Sequence, residues 1–307
     1  MMFADKLLQA VNLFPTGITM PTGTFSTQVI KDISYTATSF QGVLTETGWY
    51  RVKIGAADGA GANTSYGYGG KIMHTFFAYS GTKYLLWGCD GPSTGYPVPS
   101  GNGGYYYNPT TQNLDGEDGI LGGGGGSGSD KTTQGLISHG GPGGGSATGN
   151  GATNTGASGN VSGAGCGFIC GLDEIGTTLT TQTESFVDPN YAGFSVDSVI
   201  AMVLAGGGGS YGVGGGGGGG AYGNGGHGVK WNSVGLVITE LTNGGTGPGG
   251  TTFGVGADGT YASSGNAGEG GNGAWCVRDY STSTFTSGTG QQSPISAGTC
   301  RLEKLIY

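Results

Sequence analysis

Three histidines and five cysteines are the side chains to test first for catalysis or metal binding in this 307-residue chain. His74 has aromatic neighbours in sequence and reads as structural, whereas His139 and His227 sit in glycine tracts, positioned to project into solvent. No Ser/His/Asp or Cys/His arrangement stands out, and such constellations are defined by geometry and roles. The cysteines are Cys89, Cys166, Cys170, Cys276 and Cys300. Their number is odd and no C-x-x-C pair occurs, so the repeated ligand pairs of a zinc site are missing and buried thiols are expected. Asp115-Gly116-Glu117-Asp118-Gly119 offers oxygen ligands of the kind a hard cation takes, but it also suits a solvated turn. Phe253 to Gly259 resembles one copy of a calcium-binding β-helix repeat, which works only in arrays. Gly70-Lys71 is followed by Ile72 in place of Ser or Thr, so it is no phosphate loop. The expectation is a protein that is not an enzyme and takes no cofactor and no metal.

Aromatic residues beside glycine are the better functional signal. Tyr105-Tyr106-Tyr107 stands between Gly104 and Asn108, and Tyr211, Tyr222, His227 and Trp231 border or lie within the glycine runs. Tyrosine and tryptophan give rigid, amphipathic contact surface at low entropic cost, so these residues are the candidates for receptor binding. The same rings could instead cover the ends of a glycine lattice or fill a core.

The elements that must carry these residues are constrained by composition. Glycine supplies 74 of the 307 residues, charged residues are 10%, and the formal net charge is -8. The basic residues are scattered singly, which argues against nucleic acid, since neutralising phosphates needs clustered Lys and Arg. With 35% hydrophobic residues, 16 Tyr, 11 Phe and 4 Trp, the chain does not have the make-up of a disordered one. No stretch approaches the roughly 18 apolar residues of a membrane span. Leu7, Leu8, Val11 and Phe14 fall at helical spacing, which predicts a short N-terminal amphipathic helix. That helix would either attach to a partner or symmetry mate or cap its own domain. The stretch from Met1 to Phe14 lacks a small-residue cleavage site and does not read as a signal peptide.

Residues 1–48 read as a head of helix and attachment strands, and residues 49–307 as a glycine-rich β domain. From Thr24 to Phe40 the chain is rich in strand formers. Trp49 to Ile54 alternates, with Trp49, Arg51 and Lys53 on one face and Tyr50, Val52 and Ile54 on the other, the mark of a half-buried strand. Further strands are expected at Lys71–Tyr79, Tyr84–Trp87, Thr177–Phe186, Phe194–Leu204, Leu236–Leu241, Ala274–Tyr280 and Thr299–Ile306. The glycine tracts between them lack the strict triplet of collagen. Runs such as Gly122–Gly126 and Gly214–Gly220 suit polyglycine II helices, which share the polyproline II backbone and make no internal hydrogen bonds. Their amides must then bond to neighbouring chains.

Trp49 to Ala56 leading into a glycine-rich loop, Gly69-Gly70-Lys71-Ile72 opening a strand, a later polyglycine stretch, and a closing strand over Cys300 to Leu305 together resemble the glycine-rich domain of anaplastic lymphoma kinase-type receptors. The stretch Gly206–Gly228 is similar to the glycine motifs of tail-fibre-tip adhesins of T-even-like bacteriophages. These resemblances imply a mainly β fold: a jelly-roll-like β-sandwich with an inserted bundle of polyglycine II helices. They further imply a bacteriophage virion protein, a tail-fibre or tail-tip component that meets a host cell-surface receptor. Other virion proteins would contact its N-terminal segment, and a homo-oligomer, a trimer by analogy with fibres, is expected. The competing expectation is a cellular extracellular filament, matrix or surface-adhesion subunit. The chain carries more β-strand than those adhesins do.

Overall fold

Alternation fixes the strand from Gly48 to Gly55: Tyr50, Val52 and Ile54 are buried while Trp49, Arg51 and Lys53 are only partly so. The computed structural model describes residues 18–36, 39–56, 58, 67–88, 105–108, 113–116, 137–139, 154–155, 166–171, 199–203, 220–221, 226, 228–232, 237–242, 251–252, 254–259, 271–279 and 284–307. Among them the fold is strand-rich, with antiparallel sheets and no helix. The segments carrying Leu7, Leu8, Val11 and Phe14, and the expected strand Thr177–Phe186, lie outside the described residues.

Ten strands make two sheets. The first contains β1 (Ser26–Asp32), β16 (Cys300–Ile306), β3 (Gly48–Gly55) and β4 (Lys71–Ala78), in that spatial order. The second runs β15 (Thr284–Thr289), β14 (Ala274–Asp279), β11 (Val199–Val203), β10 (Cys166–Gly171), β5 (Lys83–Trp87) and β2 (Ser39–Val43). Strands from both sides of residue 48 share these sheets, since β1 pairs with β16 and β2 with β5. One buried cluster draws on both sheets: Tyr50, Val52, Ile54, Ile72, Phe76 and Leu302 from the first, Tyr84, Leu86 and Val277 from the second. Each side chain removed from water there contributes about 1.5–3 kcal/mol, which helps offset the conformational entropy of so glycine-rich a chain.

The register sorts the connections into two groups. In the second sheet Trp87 pairs with Gly167, Cys166 with Val203, and Val203 with Trp275. The segments 88–165 and 204–273 therefore both leave and return at one end of that sheet. The loop 56–70 leaves and returns where Gly55 pairs with Lys71, and Lys71 bonds through its amide to Gly290, just past β15. All three glycine-rich excursions thus depart from one end of the two sheets. At the opposite end the chain runs into β1 at Ser26 and out of β16 at Ile306, and these two residues are paired. There the links 44–47 and 79–82 are stitched by Leu44–Thr82 and Gly81–Leu44 backbone bonds.

The excursions carry two small sheets of their own. β6 (Tyr105–Asn108), β7 (Asn113–Gly116) and β9 (Asn154–Thr155) all come from 88–165. β12 (Gly228–Asn232) and β13 (Val237–Thr242) from 204–273 pair with each other, and β12 also pairs with β8 (Ile137–His139) from 88–165, so two excursions are knitted together. Truncating Leu302, fully buried, to Ala is expected to cost about 2–5 kcal/mol in chemical denaturation. The exposed Val29→Ala on the neighbouring β1 is expected to change stability by no more than about 0.5 kcal/mol.

Candidate functional site

The described polar groups converge where the glycine-rich excursions meet the sheets. Lys71, the first residue of β4, is almost wholly buried, and its Nζ lies 2.7 and 3.1 Å from the two carboxylate oxygens of Asp58. Asp58 Oδ1 also accepts the Gly69 amide at 2.8 Å. Burying an ammonium is costly unless it is paired and bonded, and this carboxylate supplies both. The Lys71 carbonyl accepts the amides of Gln292 and Ser293, so one residue ties the loop 56–70 to the segment after β15. Tyr68 stands beside it, with its ring centroid 5.6 Å from Lys71 Nζ. The Tyr68 amide donates to Asn272 Oδ1, and its carbonyl accepts the Gly273 amide. Loop 56–70 is thereby fastened to the last residues of the 204–273 excursion.

Above this junction, backbones touch without side chains between them. The Ala257 carbonyl oxygen sits where a Cβ on either Gly226 or Gly271 would overlap it. The Ala257 amide in turn donates to the Asn272 carbonyl at 2.9 Å. Ala221 bonds through its amide to the Gly254 carbonyl, and Gly254, at φ 60°, has no room for a Cβ against the Ala221 carbonyl. Three separate stretches of the excursion thus meet at van der Waals range of their main chains, an approach open only to glycine. Contacts of this sort bring Cα–H groups onto carbonyl oxygens, each a small favourable term.

Two exposed tyrosines flank the junction at the same end. Tyr68 is 52% exposed and Tyr35 59%, the latter holding a left-handed backbone with its amide bonded to Gly298. Neither was singled out from sequence, although the Tyr-Gly alternation over residues 66–69 is the signal that marks Tyr68. Tyr105, Tyr106 and Tyr107, expected in a glycine-rich loop, lie instead on strand β6, paired with Gly116, Asp115 and Leu114. Tyrosine's preference for a pleated, half-buried surface accounts for the difference. Trp231 lies on β12 between Ser138 and Ile238. Tyr211, Tyr222 and His227 lie outside the described residues. His139, read as part of a glycine tract, pairs with Lys230, while His74 stacks on Phe76 with centroids 6.4 Å apart.

Cys276 and Cys300 are buried thiols. Among the described residues no three His, Cys, Asp or Glu side chains gather as a metal site would require, and no helix is long and apolar enough to cross a membrane. No family model, no curated protein and no solved structure matches the chain.

The junction predicts two substitution effects. Lys71→Ala leaves the partly buried Asp58 carboxylate without its counter-ion and is expected to destabilise in a denaturant titration, by less than the roughly 3–5 kcal/mol of breaking a fully buried pair. Gly271→Ala must displace the Ala257 carbonyl and is expected to lower the melting temperature, whereas Thr252→Ala, on an exposed turn of the same excursion, leaves it unchanged.

Proposed function

We propose that this chain is a bacteriophage virion structural protein, a tail-fibre or tail-tip component whose glycine-rich end meets a receptor on the host cell surface. The observation that carries this reading is the one-ended departure of all three glycine-rich excursions, opposite the end where Ser26 pairs with Ile306. A protein that reaches from a particle to a surface needs such polarity: a fastening end, a rigid body and a contact end. The contact end is supported by the exposed rings of Tyr35 and Tyr68 and by Tyr105–Tyr107 and Trp231 on the strands of the excursions. Aromatic anchors of this kind dominate the energetics of recognition surfaces.

The finer architecture belongs to the same proposal. The buried cluster common to both sheets supports a jelly-roll-like sandwich, and the bare-backbone contacts around Ala257 support a polyglycine II bundle mounted on it. Leu7, Leu8, Val11 and Phe14 would form the helix that joins other virion proteins, and the assembled form would be a homo-oligomer, with a trimer the first symmetry to test. Catalysis, cofactors and metals have no part in this reading.

Immunogold labelling of particles is expected to place the chain at distal tail or fibre ends. Label confined to cell surfaces without particles would replace the reading with a cellular filament or matrix subunit. Particles carrying Tyr68→Ala together with Tyr35→Ala are expected to adsorb to host cells roughly tenfold less well, with particle yield unchanged.

A further inference from the structure

Among the described residues, one that is not glycine holds its backbone in the left-handed region: Tyr35, at φ 61°. The other positions with a positive φ are Gly23, Gly81, Gly254, Gly290 and Gly298, the residue type that adopts it freely. A Cβ crowds the following carbonyl there, and besides glycine only Asn and Asp visit the region routinely. In a chain with 74 glycines among 307 residues, a tyrosine at such a position departs from the chain's own pattern. Packing does not account for it. Tyr35 is exposed, and its ring engages none of the other described residues.

The backbone on both sides of Tyr35 is tied down. β1 ends at Asp32, whose Oδ1 accepts the Ser34 amide at 3.0 Å. Partial burial pushes the Asp32 carboxyl up, but bonds from the Ser34 hydroxyl and amide and the Arg301 charge outweigh it and hold it below the usual aspartate range. Ser34 Oγ in turn accepts the Cys300 amide at 3.0 Å. Ile33 belongs to the buried cluster, and its amide donates to the Cys300 carbonyl at 2.9 Å. The Tyr35 amide donates to the Gly298 carbonyl at 2.7 Å, and the Thr36 hydroxyl to the Ile33 carbonyl at 2.7 Å. The carbonyls of Ile33 and Thr36 also press on Gly88, where a Cβ would overlap them. Gly88 opens the 88–165 excursion and Gly298 bonds to Gly55, so this turn stands at the glycine-rich end.

We propose that the turn over residues 32–36 is a preformed recognition loop, in which Tyr35 is a contact residue for the cell-surface receptor and Asp32 and Ser34 are positioning residues that hold it in place. The proposal rests on the receptor-binding reading above and assigns roles within it. Strained backbone persists only where the surroundings over-determine it, and such positions gather at functional sites. Here the determining bonds come from Asp32, Ser34, Thr36 and Gly298, while the strained residue's own ring gains nothing inside the fold. What offsets the strain therefore lies outside the fold. A tyrosine ring supplies rigid, amphipathic contact surface, and a loop fixed before binding lowers the entropic cost of association. Tyr68 differs, because its ring lies over the buried Lys71 ammonium and so also serves the junction.

The test compares wild type with Tyr35→Asn, since asparagine enters the left-handed region at little cost. Two measurements are made on the full chain. The melting temperature of Tyr35→Asn is expected to rise by about 2–4 °C, because strain is relieved and no packing is lost. Binding of the labelled chain to host cells is expected to weaken about tenfold or more. Ser34→Ala is expected to weaken binding about fivefold with the tyrosine intact and to add nothing in the Tyr35→Asn background, the non-additivity of a residue that acts through another. Ser34→Thr, which keeps the hydroxyl, should bind as wild type does. A lowered melting temperature for Tyr35→Asn would make the ring a packing element and overturn the proposal. Unchanged cell binding by Tyr35→Asn, or additive losses in the double variant, would overturn it as well. Tyr68→Ala separates this outcome from the wider reading. A wild type that binds cells and is weakened by Tyr68→Ala but not by Tyr35→Asn leaves the receptor reading standing without Tyr35, whereas a wild type that binds no cells removes both.

Discussion

A carbonyl oxygen with no Cβ on either side of it is the constraint on which the described glycine-rich contacts depend. Ala257 lies against Gly226 and Gly271 at once, so the three stretches can close on one another only if two of them carry no side chain at the contact. That requirement explains why the composition tolerates the entropic cost of glycine. The stability of such a contact comes from main-chain hydrogen bonds, Ala257 to Asn272 and Ala221 to Gly254, and from close approach, with little apolar side-chain burial. Contacts built in this way need a conventional core to anchor them. The two sheets supply one, and the Lys71–Asp58 pair fastens the two together where the sheets end.

The polarity of the molecule follows from antiparallel register. Because β5 pairs with β10, β11 with β14 and β3 with β4, each long excursion begins and ends on neighbouring strands at the same edge of the fold. At the other edge the link 172–198 leaves β10 and returns to β11, and the connections over 44–47 and 79–82 bond to one another. A single topological rule therefore separates a conventional β body from a glycine-rich end.

Most of the body was legible in the chain because burial and period agree there. Trp49 to Ile54 alternates in sequence and in exposure, and Lys71–Ala78, Lys83–Trp87 and Cys300–Ile306 follow where β-branched and aromatic residues cluster. Cys166–Gly171 was hidden: Gly167 and Gly171 made it look like part of the tract, although its pairing with β5 and β11 places it centrally in the six-stranded sheet. Thr284–Thr289 was missed because its threonines and serine carry little apolar signal, and its pairing with β14 supplies what its own pattern lacks. The Lys71–Asp58 pair was not legible either, since nothing in the spacing of two ordinary charged residues says that one will be buried. The tyrosines were found by type, but whether they stand on loops or strands depends on pairing partners distant in the chain.

Adjacent antiparallel partners stand only about 4.5–5.5 Å apart. Each excursion is therefore a loop whose two ends are already held together by the sheet, as at Gly55 and Lys71 or Trp87 and Gly167. The cost of closing such a loop grows slowly, by about 0.6 kcal/mol for each doubling of its length. The β body thus acts as a socket into which segments of different size and sequence can be plugged without re-registering a strand. Variation in the length of the excursions is thereby uncoupled from the register of the β body.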